Sequence, residues 1–129
     1  MSDAVILDAS AMVEVLLGTP LGDRVRAHLR NCVPYAPAHF DMEVLSAVAR
    51  KHRAGELTAD EVAGVAEFLA DAPIQRLPLP ALLRGAWRLH EQYAVVDAPY
   101  IVASRMLAAP LITVDKKLRD VATVITLGG

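Results

Sequence analysis

The sequence predicts an α/β domain in which a mostly parallel sheet is covered by helices on both faces. Three observations carry this. Short apolar runs alternate with helical patterns along all 129 residues. No link between them reads as a tight two-residue hairpin, the usual mark of antiparallel neighbours. Finally, 54% of the residues are hydrophobic, which at this length supports one core and not two. Residues 1–129 are therefore read as a single domain, without internal repeat, low-complexity tract or linker.

Each element has its own signal. Ala4 to Leu7 is a short apolar run ending at Asp8, a buried strand feeding a turn. Ser10 to Leu17 is apolar with only Glu14 charged, and Gly18-Thr19-Pro20 stops it. Leu21 to Arg30 is an amphipathic helix with Leu21, Val25 and Leu29 on one face and Arg24, Arg26 and Arg30 turned away. Val33 to Ala36 is a strand bracketed by Pro34 and Pro37. His39 to Ala54 is a longer helix with a stripe of Phe40, Val44, Leu45, Ala47 and Val48, and Gly55 ends it.

Thr58 and Glu61 have the spacing of a capping box and open a helix to about Ala70. Ile74 to Leu77 is the third strand. Pro80 begins a helix to about Tyr93, in which Leu83, Trp87 and His90 share a face. Asp97 to Leu107 is a helix, Leu111 to Val114 a strand, Asp115 to Arg119 a helical turn, and Val124 to Leu127 the last strand.

Composition excludes several classes. Cys32 is the only cysteine, so a disulfide framework and a thiolate zinc site are both ruled out. The longest stretch without Lys, Arg, Asp or Glu is ten residues, Asn31 to Phe40, half of the ~20 that a membrane span requires. An acidic start, Met1-Ser2-Asp3, does not resemble a secretory signal, and the expected location is the cytoplasm. With 13 basic and 15 acidic residues the net charge is −2, so nucleic-acid binding would have to come from local clusters. Such clusters exist at Arg24, Arg26 and Arg30, at Arg50-Lys51-His52-Arg53, and at Lys116-Lys117 with Arg119. Each also reads as a solvated helix face.

The acids carry the chemistry. Asp8 follows Val5-Ile6-Leu7, Asp97 follows Val95-Val96, and Asp115 follows Leu111-Ile112-Thr113-Val114. In a parallel sheet the residues beyond the strand ends gather at one edge, where α/β folds bind ligands. Any one of these aspartates could simply cap a helix, but converging carboxylates repel unless a cation or protons neutralise them. Glu43 borders the apolar stripe of its helix and adds a fourth acid. Ser10 and Thr113, each two residues from an aspartate, are placed to orient a carboxylate or a metal-bound water, or to serve as an ordinary cap and strand residue. An all-oxygen cluster favours Mg²⁺ or Mn²⁺. His28, His39, His52 and His90 show no zinc spacing, and none is expected at a strand end.

Taken together, Val-Ile-Leu-Asp8-Ala-Ser10-Ala, Glu43 early in a helix, Val-Val-Asp97-Ala-Pro-Tyr-Ile-Val-Ala-Ser and Ala-Pro-Leu-Ile-Thr113-Val-Asp115-Lys-Lys-Leu resemble the PIN domain. The resemblance is closest to the VapC-type toxins, ribonucleases of type II toxin–antitoxin modules, and it spans the chain. It implies a three-layer α/β/α fold around a central parallel sheet of about five strands. It further implies a Mg²⁺-dependent endoribonuclease site at Asp8, Glu43, Asp97 and Asp115, with metal on Asp8, Asp97 and Asp115 and with Ser10 and Thr113 in support. The partners it implies are an RNA substrate, a VapB-type antitoxin, a second copy in a homodimer and a larger complex with the antitoxin. Only Pro99, just inside the helix behind Asp97, is unusual for the pattern.

Other readings fit less well. A phospho-signalling receiver needs adjacent acids after its first strand and an acceptor Asp after its middle strand. Here Asp8 stands alone, and Ile74 to Leu77 runs into Pro78 and Pro80. A degraded, non-catalytic relative should have lost an acid. A PIN nuclease of RNA processing is the main alternative to the toxin. Lys116, Lys117, Arg50, Lys51 and Arg53 are the expected phosphate contacts. Trp87, Phe68 and the other aromatics fall mostly on expected core faces.

Overall fold

The computed structural model describes residues 3–125. Five parallel strands form one sheet: β1 (Asp3–Leu7), β2 (Cys32–Pro37), β3 (Gln75–Leu77), β4 (Leu111–Thr113) and β5 (Thr123–Val124), in the order β3-β2-β1-β4-β5. The last contributes only two residues, so four strands carry most of the sheet; Thr126 and Leu127 of the expected final strand lie outside the described residues. Among the described residues there are six α-helices: α1 (Ala9–Leu17), α2 (Pro20–Leu29), α3 (Phe40–Arg53), α4 (Ala59–Asp71), α5 (Leu83–Arg88) and α6 (Ala98–Leu107).

Local chemistry explains the boundaries. Thr58 accepts from Glu61 N while the Glu61 side chain accepts from Thr58 N, so the expected capping box opens α4. Gly55, with φ +82°, follows the last turn of α3 in a conformation that glycine adopts without a steric penalty. Proline is tolerated inside β2 because Pro34 lies outside the part paired with β3, which begins at Tyr35. Gly22 lets α2 lie close on α1, since a Cβ there would stand 2.1 Å from the Glu14 carbonyl oxygen.

The core is a contiguous apolar cluster that includes Val5, Ile6, Leu7, Phe40, Val44, Tyr100, Ile101, Leu111 and Ile112. Arg76 of β3 fastens its edge. Its guanidinium donates to both carboxylate oxygens of Asp41, at 3.1 and 2.9 Å, and to the carbonyls of Leu69, Ala72 and Ile74. One side chain thus ties the start of α3 to the open end of α4.

One expected helix is different. Instead of running from Pro80 to Tyr93, the chain makes a 3-10 turn over Leu79–Ala81, then the short α5, then successive turns. The break shifts the buried phase to Leu82 and Ala86, which leaves Leu83 and Trp87 56% and 62% exposed. Trp87 stacks on His90 at 3.9 Å, and both are exposed. Phe68 is also 49% exposed, so neither it nor Trp87 belongs to the core as expected.

Candidate active site

The sheet order reverses between β2 and β4, which flank β1 on opposite sides. Such a switch point leaves a crevice at the C-terminal ends of the strands. Asp8 stands at the mouth of this one, buried, between β1 and α1. The register pairs Leu7 with Ile112, and Asp8 N donates to Ile112 O at 2.9 Å, which brings Asp8 beside Thr113.

The Asp8 carboxylate does not cap α1. Its Oδ2 accepts from Ser10 Oγ and from Thr113 Oγ1, each at 2.6 Å. The two hydroxyl oxygens are 3.1 Å apart. Each hydroxyl has one proton, and both protons are committed to Oδ2. No described residue donates to Oδ1, which leaves that oxygen for a ligand. Thr113 also accepts from Asp115 N at 3.0 Å, so one hydroxyl links two of the acids.

Asp115 does act as a cap: its Oδ1 accepts from Lys117 N at 2.9 Å, opening the 3-10 turn Lys116–Leu118. Asp97 precedes α6 without capping it. Contrary to expectation it does not follow a strand. Val95 and Val96 lie in a turn and are 53% and 56% exposed, too short and too open a pair to join a ladder. Asp97 reaches the site at the start of α6, which packs on β1, β2 and β4.

Glu43 comes from the first turn of α3. Its Oε1 accepts a 2.6 Å hydrogen bond from the hydroxyl of buried Tyr100, three residues along α6 from Asp97. His39, the residue before α3, lies 3.3 Å from the same oxygen through Nε2. That nitrogen is also 2.7 Å from Val96 O; a carbonyl only accepts, so Nε2 carries the proton. The ring packs against Tyr100 with centroids 5.3 Å apart. His39 and Tyr100 therefore brace Glu43 and join it to the Asp97 turn, and neither stood out in the sequence. His39 does lie just past a strand end, two residues beyond β2, against the expectation. The signals that could have found them are the i,i+4 spacing of His39 and Glu43 and the i,i+3 spacing of Asp97 and Tyr100.

The four acids lie within electrostatic reach of one another. Burial raises the pKa of Asp97 above the ordinary carboxylate value, and the charges of Asp8 and Asp115 raise it further, against the pull of Lys117 and His39. Burial likewise raises Glu43; the Tyr100 hydrogen bond and His39 work against this, while Asp8 and Asp97 add to it. Tyr100 is pushed up by burial and by Glu43, so its hydroxyl keeps its proton and remains a donor. Among the described residues no three acid, histidine or cysteine side chains are grouped tightly enough to hold an ion as they stand. The donors are nevertheless all oxygen and mutually repelling, which fits a hard divalent cation. Of the expected phosphate contacts, Lys116 and Lys117 are exposed beyond β4, while Arg50, Lys51 and Arg53 occupy the last turn of α3.

The PIN domain family model matches residues 5–124. The chain belongs to the PIN domain family. All four acids of this PIN domain fall inside the matched stretch. Ribonuclease VapC3 of Mycobacterium tuberculosis is 42% identical over 119 residues, covering 90% of this chain and 85% of the relative. Ribonuclease VapC12 of the same organism is 39% identical over 116 residues, covering 88% of each. Among solved structures, PAE2754 from Pyrobaculum aerophilum superposes with a TM-score of 0.64 at 20% identity, over 95% of this chain and 81% of that one. FitAcB from Neisseria gonorrhoeae gives 0.63 at 20% identity, over 96% and 98%. These two show the PIN fold alone. No helix among the described residues is long and apolar enough to cross a membrane.

Proposed function

We propose that this PIN domain is a Mg²⁺-dependent endoribonuclease and the toxin of a toxin–antitoxin pair. The observation that carries the reading is the gathering of Asp8, Glu43, Asp97 and Asp115 at the sheet's switch point, with Asp8 fixed by two hydroxyls. The ribonuclease relatives at 42% and 39% identity support RNA as the substrate class.

Asp8, Asp97 and Asp115 would hold the metal. When bound, Mg²⁺ or Mn²⁺ supplies charge to the phosphoryl oxygens and lowers the pKa of water. Ser10 and Thr113 keep the Asp8 carboxylate in one orientation. Glu43, raised by burial, accepts a proton more readily than an ordinary carboxylate and is suited to take it from the attacking water. Water adds to phosphorus, the bond to O3′ breaks, and 5′-phosphate and 3′-hydroxyl ends result.

An antitoxin would restrain the enzyme by setting a basic side chain, an arginine whose fork spans two carboxylate oxygens, against Asp8, Asp97 or Asp115. An apolar groove of about 370 Å³ supports a seat for the rest of its segment, with Leu16, Leu17, Val65 and Phe68 among its walls. Its second wall is α4.

Cleavage of single-stranded RNA by the purified protein, with Mg²⁺ and with EDTA, tests the nuclease. Cleavage only with Mg²⁺, and its loss in Asp8→Asn with an unchanged circular dichroism spectrum, is the expected outcome. Equal cleavage by Asp8→Asn overturns the assignment.

A further inference from the structure

The helix that carries Glu43 has a second feature that this chemistry leaves unused. His39, Met42, Glu43, Ser46 and Arg50 line one shallow open groove of about 450 Å³ along α3. Their spacing puts them on one helical face. Arg50 does not extend past the helix end. Its Nη1 donates to Ser46 Oγ at 3.3 Å, one turn back toward Glu43, as expected when side chains lean toward the helix N-terminus. Ser46 is three residues beyond Glu43, so the guanidinium stands about 4.5 Å of helix rise from that acid's level.

Among the described residues Arg50 pairs with no acid. Lys51, one position on, is different: its Nζ lies 3.9 Å from Glu56 Oε2. The charge run at the end of α3 is thus divided, with one cation facing the groove and its neighbour engaged elsewhere. Strand order adds a direction. The start of α3 follows β2 on one side of Asp8, and Asp115 to Lys117 follow β4 on the other. Asp8 therefore lies between Lys117 and the start of α3, from which the groove runs on to Arg50. A polyanion passing Glu43 meets a carboxylate and needs a cation beside it, and a guanidinium can bond two phosphate oxygens at once.

We propose that Arg50 and the groove along α3 form a phosphate subsite for the nucleotide next to the scissile bond, so that a single RNA strand crosses the acids from the Lys117 side and leaves along α3. This rests on reading the site as an RNA nuclease. Met42, 65% exposed in the same groove, offers apolar contact to a base without reading its edge. The subsite therefore adds affinity without sequence preference.

The test is fluorescence anisotropy of a labelled single-stranded RNA at several salt concentrations, in the uncleaving Asp8→Asn background. Adding Arg50→Gln should raise Kd about tenfold at low salt and lower the slope of log affinity against log salt by about 0.7, the loss of one phosphate contact. Adding Lys51→Gln instead should move both by less than half as much. Unchanged binding in the Arg50→Gln protein overturns the subsite. So does an equal loss in Lys51→Gln, because the effect would then be one of net charge. Wild-type cleavage in Mg²⁺, run alongside, separates the two readings. Cleavage with unchanged Arg50→Gln binding removes only the subsite, whereas no cleavage removes the nuclease and the subsite together.

Discussion

The hydroxyl of Tyr100 donates a 2.6 Å hydrogen bond to Oε1 of Glu43, joining α6 to α3 across 57 positions of sequence. Tyr100 is fully buried, so its ring belongs to the core while its one polar atom serves the acid. Tyr100→Phe keeps the ring and removes only that bond. It should cost about 1 kcal/mol of stability and lower RNA cleavage roughly tenfold to a hundredfold, the usual effect of losing an orienting partner. Thermal melts and initial rates check it; an unchanged rate would mean that Glu43 needs no brace.

Thr113 holds Asp8 and the backbone of Asp115 through one oxygen. Thr113→Val, nearly equal in volume, removes both bonds. Because one partner is a buried carboxylate, the expected loss is about 1.5–3 kcal/mol, with a fall in cleavage. A melting temperature equal to wild type would show that Ser10 alone suffices.

Asp97 does not cap its helix, and its charge is opposed by burial and by Asp8 and Asp115. In EDTA, Asp97→Asn should melt a few degrees above wild type. Mg²⁺ should stabilise wild type by about 2.7 kcal/mol at a hundred times its dissociation constant, and Asp97→Asn much less. Identical melting curves for the two proteins, with and without Mg²⁺, would separate Asp97 from the metal.

Arg76 answers three carbonyls and a carboxylate at once. Arg76→Ala should cost about 2–4 kcal/mol, since it leaves part-buried acceptors without partners. Asp41→Asn, which keeps the side-chain volume, should cost less. Denaturant titration of the two variants decides: equal losses would place the whole effect in the ion pair.

How much of this was legible in the sequence depends on the range of the interaction. The capping box at Thr58, the stop at Gly55 and the burial of Val5, Ile6 and Leu7 are written in neighbouring residues, and local patterns found them. The places of Asp8 and Asp115 just past strands were enough to suggest a shared edge, because parallel strand ends converge, whereas Asp97 and Glu43 are carried there by helices. Reading Val95-Val96 as a strand failed because two apolar residues give no periodicity to test. The continuous helix from Pro80 failed for a related reason. Leu83, Trp87 and His90 do share a helical spacing, but the 3-10 turn before them resets which face is buried. His39 and Tyr100 were passed over because each looks complete locally, one as an isolated histidine and the other as a core aromatic. What gives them a role is contact between segments far apart in the chain.

The strand order also governs when the centre exists. β1 receives its neighbour β2 early, but its other side waits for β4, residues 111–113. A chain still being synthesised, ended at Pro110, has Asp8, Glu43 and Asp97 but lacks Thr113 and Asp115. Asp8 would then keep only its bond from Ser10, beside an unpaired strand edge. On the proposed reading, the centre is incomplete while a ribosome builds everything that precedes β4. The RNA being translated would then meet a complete centre only after β4 and the Asp115 turn have emerged and docked.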